Sequence, residues 1–93
     1  MAFILIDPLY VMPEYRIEVM NEDISSIELT SLEKAVVISI VNISKDATSV
    51  TANLIGPIVV NPDKMLAKQV VVLNSEYSIR HNIMLTANNE QAN

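Results

Sequence analysis

The sequence predicts a small, mainly β domain: a β-barrel-like or folded antiparallel sheet with one short helix. Three observations carry this. Half of the 93 residues are hydrophobic but only four are aromatic, and the apolar content is mostly Val, Ile and Leu, which suit a pleated, half-buried surface. The apolar residues fall into many short runs separated by turn residues. Turn signals recur although the chain has a single Gly, so Pro, Asn and Asp must do most of the turning.

Each element follows from local pattern. Phe3 to Ile6 reads as a strand, ended by Asp7-Pro8 because Pro lacks a ladder donor and pushes its predecessor extended. Residues 10–13 form a loop. Tyr15, Ile17 and Val19 alternate with Arg16, Glu18 and Met20, the two-residue period of a strand with one wet face. Asn21 can cap a short helix with Glu22 and Asp23 in its first turn, where the helix dipole favours acids. Ser31 can cap a further turn. Ala35 to Ile43, apolar for most of its length, reads as a central strand covered on both faces. Residues 44–49 are a polar loop. Val50 to Ile55 is a strand broken at Gly56-Pro57, and Ile58 to Val60 resumes it. Asn61-Pro62-Asp63-Lys64 is a turn with Pro where φ near −65° is needed. Lys68 to Leu73 and Tyr77 to Arg80 are the last strands. Residues 1–85 are expected to form a single domain, and 86–93 a disordered tail.

Composition excludes several functions. There is no Cys and one His, so disulfides, thiolate metal sites and multi-His clusters are out. One Gly cannot build a phosphate-cradling loop. No Ser, His and Asp stand in a recognisable nucleophile context. No run approaches the ~20 apolar residues of a membrane span. No metal, cofactor or catalytic site is expected, and the chain reads as cytoplasmic, in contact with neither membrane nor nucleic acid.

The charge of −5 is unevenly placed. Residues 1–33 hold seven acids against Arg16 alone, while residues 34–93 hold four acids and five bases. An acidic surface repels phosphates and favours basic protein partners; it equally keeps a protein soluble. Glu14, Glu18, Glu22 and Asp23 are the candidates for that surface. Asn53 and Asn61 read as backbone satisfaction at strand ends and turns. Tyr77 reads as core with its hydroxyl at the edge. Arg80-His81 is either a solvated pair or a partner contact.

The landmarks from Thr51 to His81 (TANL, PIVVN, KQVVVL, YSIRH), with FILIDP at 3–8 and Tyr15-Arg16-Ile17-Glu18, resemble the flagellar assembly factor FliW family over residues 3–83. The resemblance implies a small β-barrel-like fold and a non-enzymatic protein-binding role. Its implied partners are flagellin and the RNA-binding translational regulator CsrA, whose repression of flagellin translation FliW relieves. It adds Asn53, Gln69, Tyr77, Arg80 and His81 as partner-binding candidates at motif positions. Gly56 stands where the family more usually has Ala, and Asn82 where Pro is frequent. The family's further N-terminal strands, with an F-x-x-G-L-P-G-F stretch, have no counterpart here. The resemblance thus implies a chain truncated at its N-terminus relative to the family, with an exposed strand edge and a tendency to form homo-oligomers. The other readings left open are a small-ligand-binding β-barrel and a self-associating structural domain.

Overall fold

The computed structural model describes residues 4–46, 48–74 and 76–83. Six strands form one antiparallel sheet: β1 (Ile4–Ile6), β2 (Val36–Ile43), β3 (Val50–Ala52), β4 (Ile58–Asn61), β5 (Leu66–Gln69) and β6 (His81–Asn82). Hydrogen-bonded neighbours run β5-β4-β2-β3-β6, and β1 also pairs with β2. One short helix, α1 (Asn21–Ser25), and two 3₁₀ turns, Pro8–Tyr10 and Leu32–Lys34, complete the described residues. The fold is therefore the folded antiparallel sheet with one short helix. It is not a closed barrel: the outer strands β1, β5 and β6 are not paired with one another among the described residues.

β2 is the hub. Its Ser39 and Val41 pair with Ile6 and Ile4 of β1 on one edge. On the other edge Val41 pairs with Ala52 and Ile38 with Ile58. Three steps along β2 thus oppose six along its partner, so three extra residues bulge out between β3 and β4. The Ile40 carbonyl accepts the Asn53 amide at 3.0 Å just before the bulge. The Pro57 and Ile55 carbonyls turn the other way, accepting Val70 N–H at 3.0 Å and Val72 N–H at 2.9 Å. β3 and β4 are one strand interrupted by a bulge, a device that re-aims side chains beside a sheet. Gly56-Pro57 lies inside it, at the predicted break.

Inward residues follow the two-residue period. Val59, Val70, Ile27 and Leu29 form one buried cluster; Tyr15, Ala52 and Leu54 form another, and Ile17 packs against both. Tyr15, Ile17 and Val19 do alternate inward against outward Arg16, Glu18 and Met20. Yet this segment joins no ladder. It is extended and held by Leu73 N–H donating to the Glu18 carbonyl at 2.6 Å and by side chains described below.

Other expectations are corrected. β2 is not covered on both faces: Ser39 and Val41 are buried, while Val36 is 47% exposed and Ile38 and Ile40 are half-buried. Among the described residues the buried clusters form on the face that carries Ser39 and Val41, where residues 12–35 pack, while the face of Val36, Ile38 and Ile40 is only partly covered. Asn21 is the first residue of α1 rather than its cap, and Met20 in the capping position makes no side-chain bond. Ser31 caps its turn as expected, accepting from Glu33 N–H. β5 begins at Leu66, earlier than predicted, because residues 62–65 suffice to turn, with Met65 left-handed at φ 57°. The last strand falls on His81–Asn82, where Ala52 and Thr51 offer partners, rather than on 77–80. The expected tail at 86–93 lies outside the described residues. In the 44–49 loop, Asp46 accepts hydrogen bonds from Thr48 and Ser44, which hold its carboxyl below the usual range.

Candidate partner-binding surface

The 12–18 segment borders, with Asn74, Glu76 and Tyr77, an open groove of about 470 Å³ lined on its own side by Met12, Glu14, Arg16 and Glu18. Glu14, Arg16 and Glu18 stand on it because two-residue alternation turns every second side chain of an extended segment outward. Two side chains from the opposite wall fix that segment. The Tyr77 hydroxyl accepts from Arg16 N–H at 3.0 Å and donates to the Arg16 carbonyl at 2.9 Å. Asn74 accepts from Glu18 N–H at 2.7 Å and donates to the Arg16 carbonyl at 3.2 Å. The two side chains substitute for a neighbouring strand, satisfying backbone groups that a ladder would otherwise satisfy.

The groove is anchored to the core by Tyr15. Its hydroxyl donates to the Leu54 carbonyl at 2.6 Å, and its ring meets that of Tyr77 with centroids 4.8 Å apart, tilted by 53°. Burial, and secondarily the Tyr77 hydroxyl, push the Tyr15 phenol far above its ordinary value, so it stays a neutral donor. Three carboxylates, Glu14, Glu18 and Glu76, thus share a rigid rim with one guanidinium. Such a surface attracts basic side chains.

The other candidates fall in three further places. Glu22 and Asp23 occupy the first turn of α1, and Asp23 pairs with Lys68 at 2.9 Å. Part of the predicted acidic surface is therefore neutralised within the chain, and Glu22 is the freer of the two. Asn53 and Gln69 meet at the bulge. Asn53 Oδ1 accepts from Gly56 N–H at 2.8 Å and Ile55 N–H at 3.0 Å, while Gln69 Nε2 donates to the Gly56 carbonyl at 2.9 Å. Both hold the backbone. Arg80 is exposed beside the start of β6, and His81 pairs with Ala52, half-buried. So the structure unites Glu14, Glu18 and Tyr77, and leaves Glu22, Asp23, Asn53, Gln69, Arg80 and His81 elsewhere.

Sequence reasoning missed Asn74 and Glu76 as groove residues. Their signal is the polar, turn-forming composition between the apolar runs 68–73 and 77–80, which does not by itself point to a surface. Asn61 sits as expected: buried, it donates through Nδ2 to the carbonyls of Ile27 at 2.9 Å and Glu28 at 3.2 Å.

Comparison with known proteins supplies the family. Residues 1–83 match the family model described as FliW protein. The chain is 39% identical over 80 residues to a flagellar assembly factor FliW of Natranaerobius thermophilus, covering 85% of this chain and 53% of that one. It is 36% identical over 87 residues to one of Desulfitobacterium hafniense, covering 94% and 57%. A crystal structure of the flagellar assembly factor FliW superposes with a TM-score of 0.76 at 31% identity, over 86% of this chain and 57% of that chain. The chain therefore spans little more than half the length of these relatives. With a matching family model, similar sequences and a similar fold, the chain belongs to the FliW family of flagellar assembly factors.

Proposed function

We propose that this chain is a cytoplasmic, non-enzymatic binding factor whose partners are flagellin and CsrA, and that its binding to CsrA relieves repression of flagellin translation. Family membership motivates the choice of partners. The observation that carries the reading is the groove in which Glu14, Glu18 and Glu76 surround a segment clamped by Tyr77 and Asn74. A rigid acidic rim steers a basic, RNA-binding partner and repels RNA phosphates from it once bound. Glu22 extends the acidic surface along α1. Arg80 and His81 form a second, smaller contact. Asn53 and Gln69 act by shaping the bulge.

Among the described residues no group of three His, Asp or Glu side chains could hold a metal ion, and no helix is long and apolar enough to cross a membrane. Self-association belongs to the same reading. β1 presents Ile4 and Leu5 about half exposed on a sheet edge, and exposed apolar edges pair with other chains.

The test is direct binding of the purified chain to flagellin and to CsrA, followed by displacement of CsrA from flagellin mRNA. Saturable binding to either protein, lost when Glu14 and Glu18 are reversed in charge, supports the proposal. Binding to neither sinks it. About one tightly held metal ion per chain in elemental analysis would return attention to catalysis.

A further inference from the structure

β1 leaves β2 early, and the reason is chemical. Ile6 pairs with Ser39. The next hydrogen-bonded position in that ladder would set Pro8 against Val37. Pro8 has no N–H to give, and its carbonyl is taken by the Val11 and Met12 amides at 3.0 and 2.9 Å. The backbone N–H and C=O of Val37, which alternation turns to this edge, have no strand partner there among the described residues. They lie at an open groove of about 300 Å³ lined by Asp7, Pro8, Leu9, Tyr15, Ile17 and residues 35–37. The lining carries one formal charge, and the carboxylate of Asp7 is engaged by the Leu9 N–H at 2.9 Å. Leu9 is 51% exposed on the rim.

We propose that this edge accepts an extended, uncharged peptide strand from a protein partner, which pairs with Val37 and seats an apolar side chain between Leu9 and Ile17. Backbone pairing on a sheet edge supplies affinity, and a pocket for alternate side chains supplies selectivity. The groove lies on the edge of β2 opposite the bulge and shares no lining residue with the acidic groove. The proposal therefore does not depend on flagellin or CsrA being the partner. A charged segment is disfavoured, since its charge would lose water against apolar walls, and an acidic one would also meet the Asp7 carboxylate.

The probe is the blocked pentapeptide acetyl-Thr-Val-Thr-Val-Thr-amide, titrated into the ¹⁵N-labelled chain. We expect saturable shifts at the Val37 amide in the millimolar range, slower hydrogen exchange there, and at least tenfold weaker binding by Leu9→Asp. The same peptide with Pro as its central residue should also bind at least tenfold more weakly. Equal binding of the Pro peptide would show apolar sticking without strand pairing and overturn the proposal. So would a Val37 amide already protected in the free monomer. Protection that grows with protein concentration alone would name a second copy as the occupant and equally overturn it.

Discussion

Asn53, Asn61 and Gln69 turn their amides onto the backbone at the seam of β3, β4 and β5, whereas Glu14, Glu18 and Glu76 stand outward around the 12–18 segment. The inward set spends every strong hydrogen bond on the chain itself. Asn61 ties the 27–28 backbone to β4, and Asn53 with Gln69 braces the bulge around Gly56. The outward set makes no hydrogen bond through its carboxylates among the described residues, and Glu18 bonds Asn74 only through its backbone N–H. Both sets are polar and both sit in recognisable motifs, yet one specifies the fold and the other leaves charge free for a partner. Motif membership alone does not separate them; where the hydrogen bonds go does.

The comparison breaks most sharply at Asn61. Asn61→Ala removes two donated bonds to the carbonyls of Ile27 and Glu28, and the latter residue is held left-handed at φ 63°. Buried carbonyls left unpaired cost roughly 2–3 kcal/mol, or roughly 10–20 °C in Tm for a chain of this size. Thermal denaturation by circular dichroism checks it. A shift under a few degrees would mean the inward set is not what holds the 27–28 corner.

Tyr77 sits between the two sets, because its ring faces the core and its hydroxyl clamps the groove. Tyr77→Phe keeps the ring contact with Tyr15 but deletes both bonds to Arg16. The clamp is partly exposed, so water compensates in part and the loss is about 1 kcal/mol. Faster hydrogen exchange at the Arg16 amide should accompany it. Unchanged exchange would show that Asn74 holds the segment unaided.

Much of the fold was legible in the sequence. The alternation of Tyr15, Ile17 and Val19, the break at Gly56-Pro57 and the turn after Asn61 all lie where the pattern places them, since each depends on local chemistry. What failed was non-local. The partial cover of Val36, Ile38 and Ile40 on β2 depends on what packs there, and an apolar run does not say what covers it. The last strand settled on 81–82 because β3 offered partners there. The candidate site was half legible: Glu14 and Glu18 follow from charge and period. Asn74 and Glu76 join them only because residues nearly sixty positions apart meet, and the pairing of Asp23 with Lys68 is equally non-local.

Gly56 tests how tightly the inward set is built. A Cβ there would stand 3.1 Å from Asn53 Nδ2 and 3.2 Å from Gln69 Nε2. Both are ends of flexible side chains, and Gly56 is not left-handed, so a few tenths of an ångström of movement suffices. Restricting the unfolded chain then prevails, and Gly56→Ala should stabilise by about 0.5 kcal/mol, read as a higher urea midpoint. A loss of stability instead would show the amide pair to be rigid and the bulge set to within a few tenths of an ångström.

The smallest effect on stability is expected from the outward set, and there the comparison turns to binding. Glu14 and Glu18 are exposed and neither forms a salt bridge among the described residues. Reversing both, Glu14→Lys with Glu18→Lys, should leave unfolding free energy unchanged within about 0.5 kcal/mol, as for surface positions free of structural bonds. The same double variant should slow association with a basic partner by roughly tenfold or more, because steering rests on summed surface charge. Stopped-flow association rates for the original chain at ~50 mM and ~500 mM salt supply the control, since screening should weaken the steering in the same way. A rate insensitive to both salt and charge reversal would remove the groove's carboxylates from recognition, even if the partner still binds. A large loss of stability would instead move Glu14 and Glu18 into the structural set and erase the distinction between inward and outward residues.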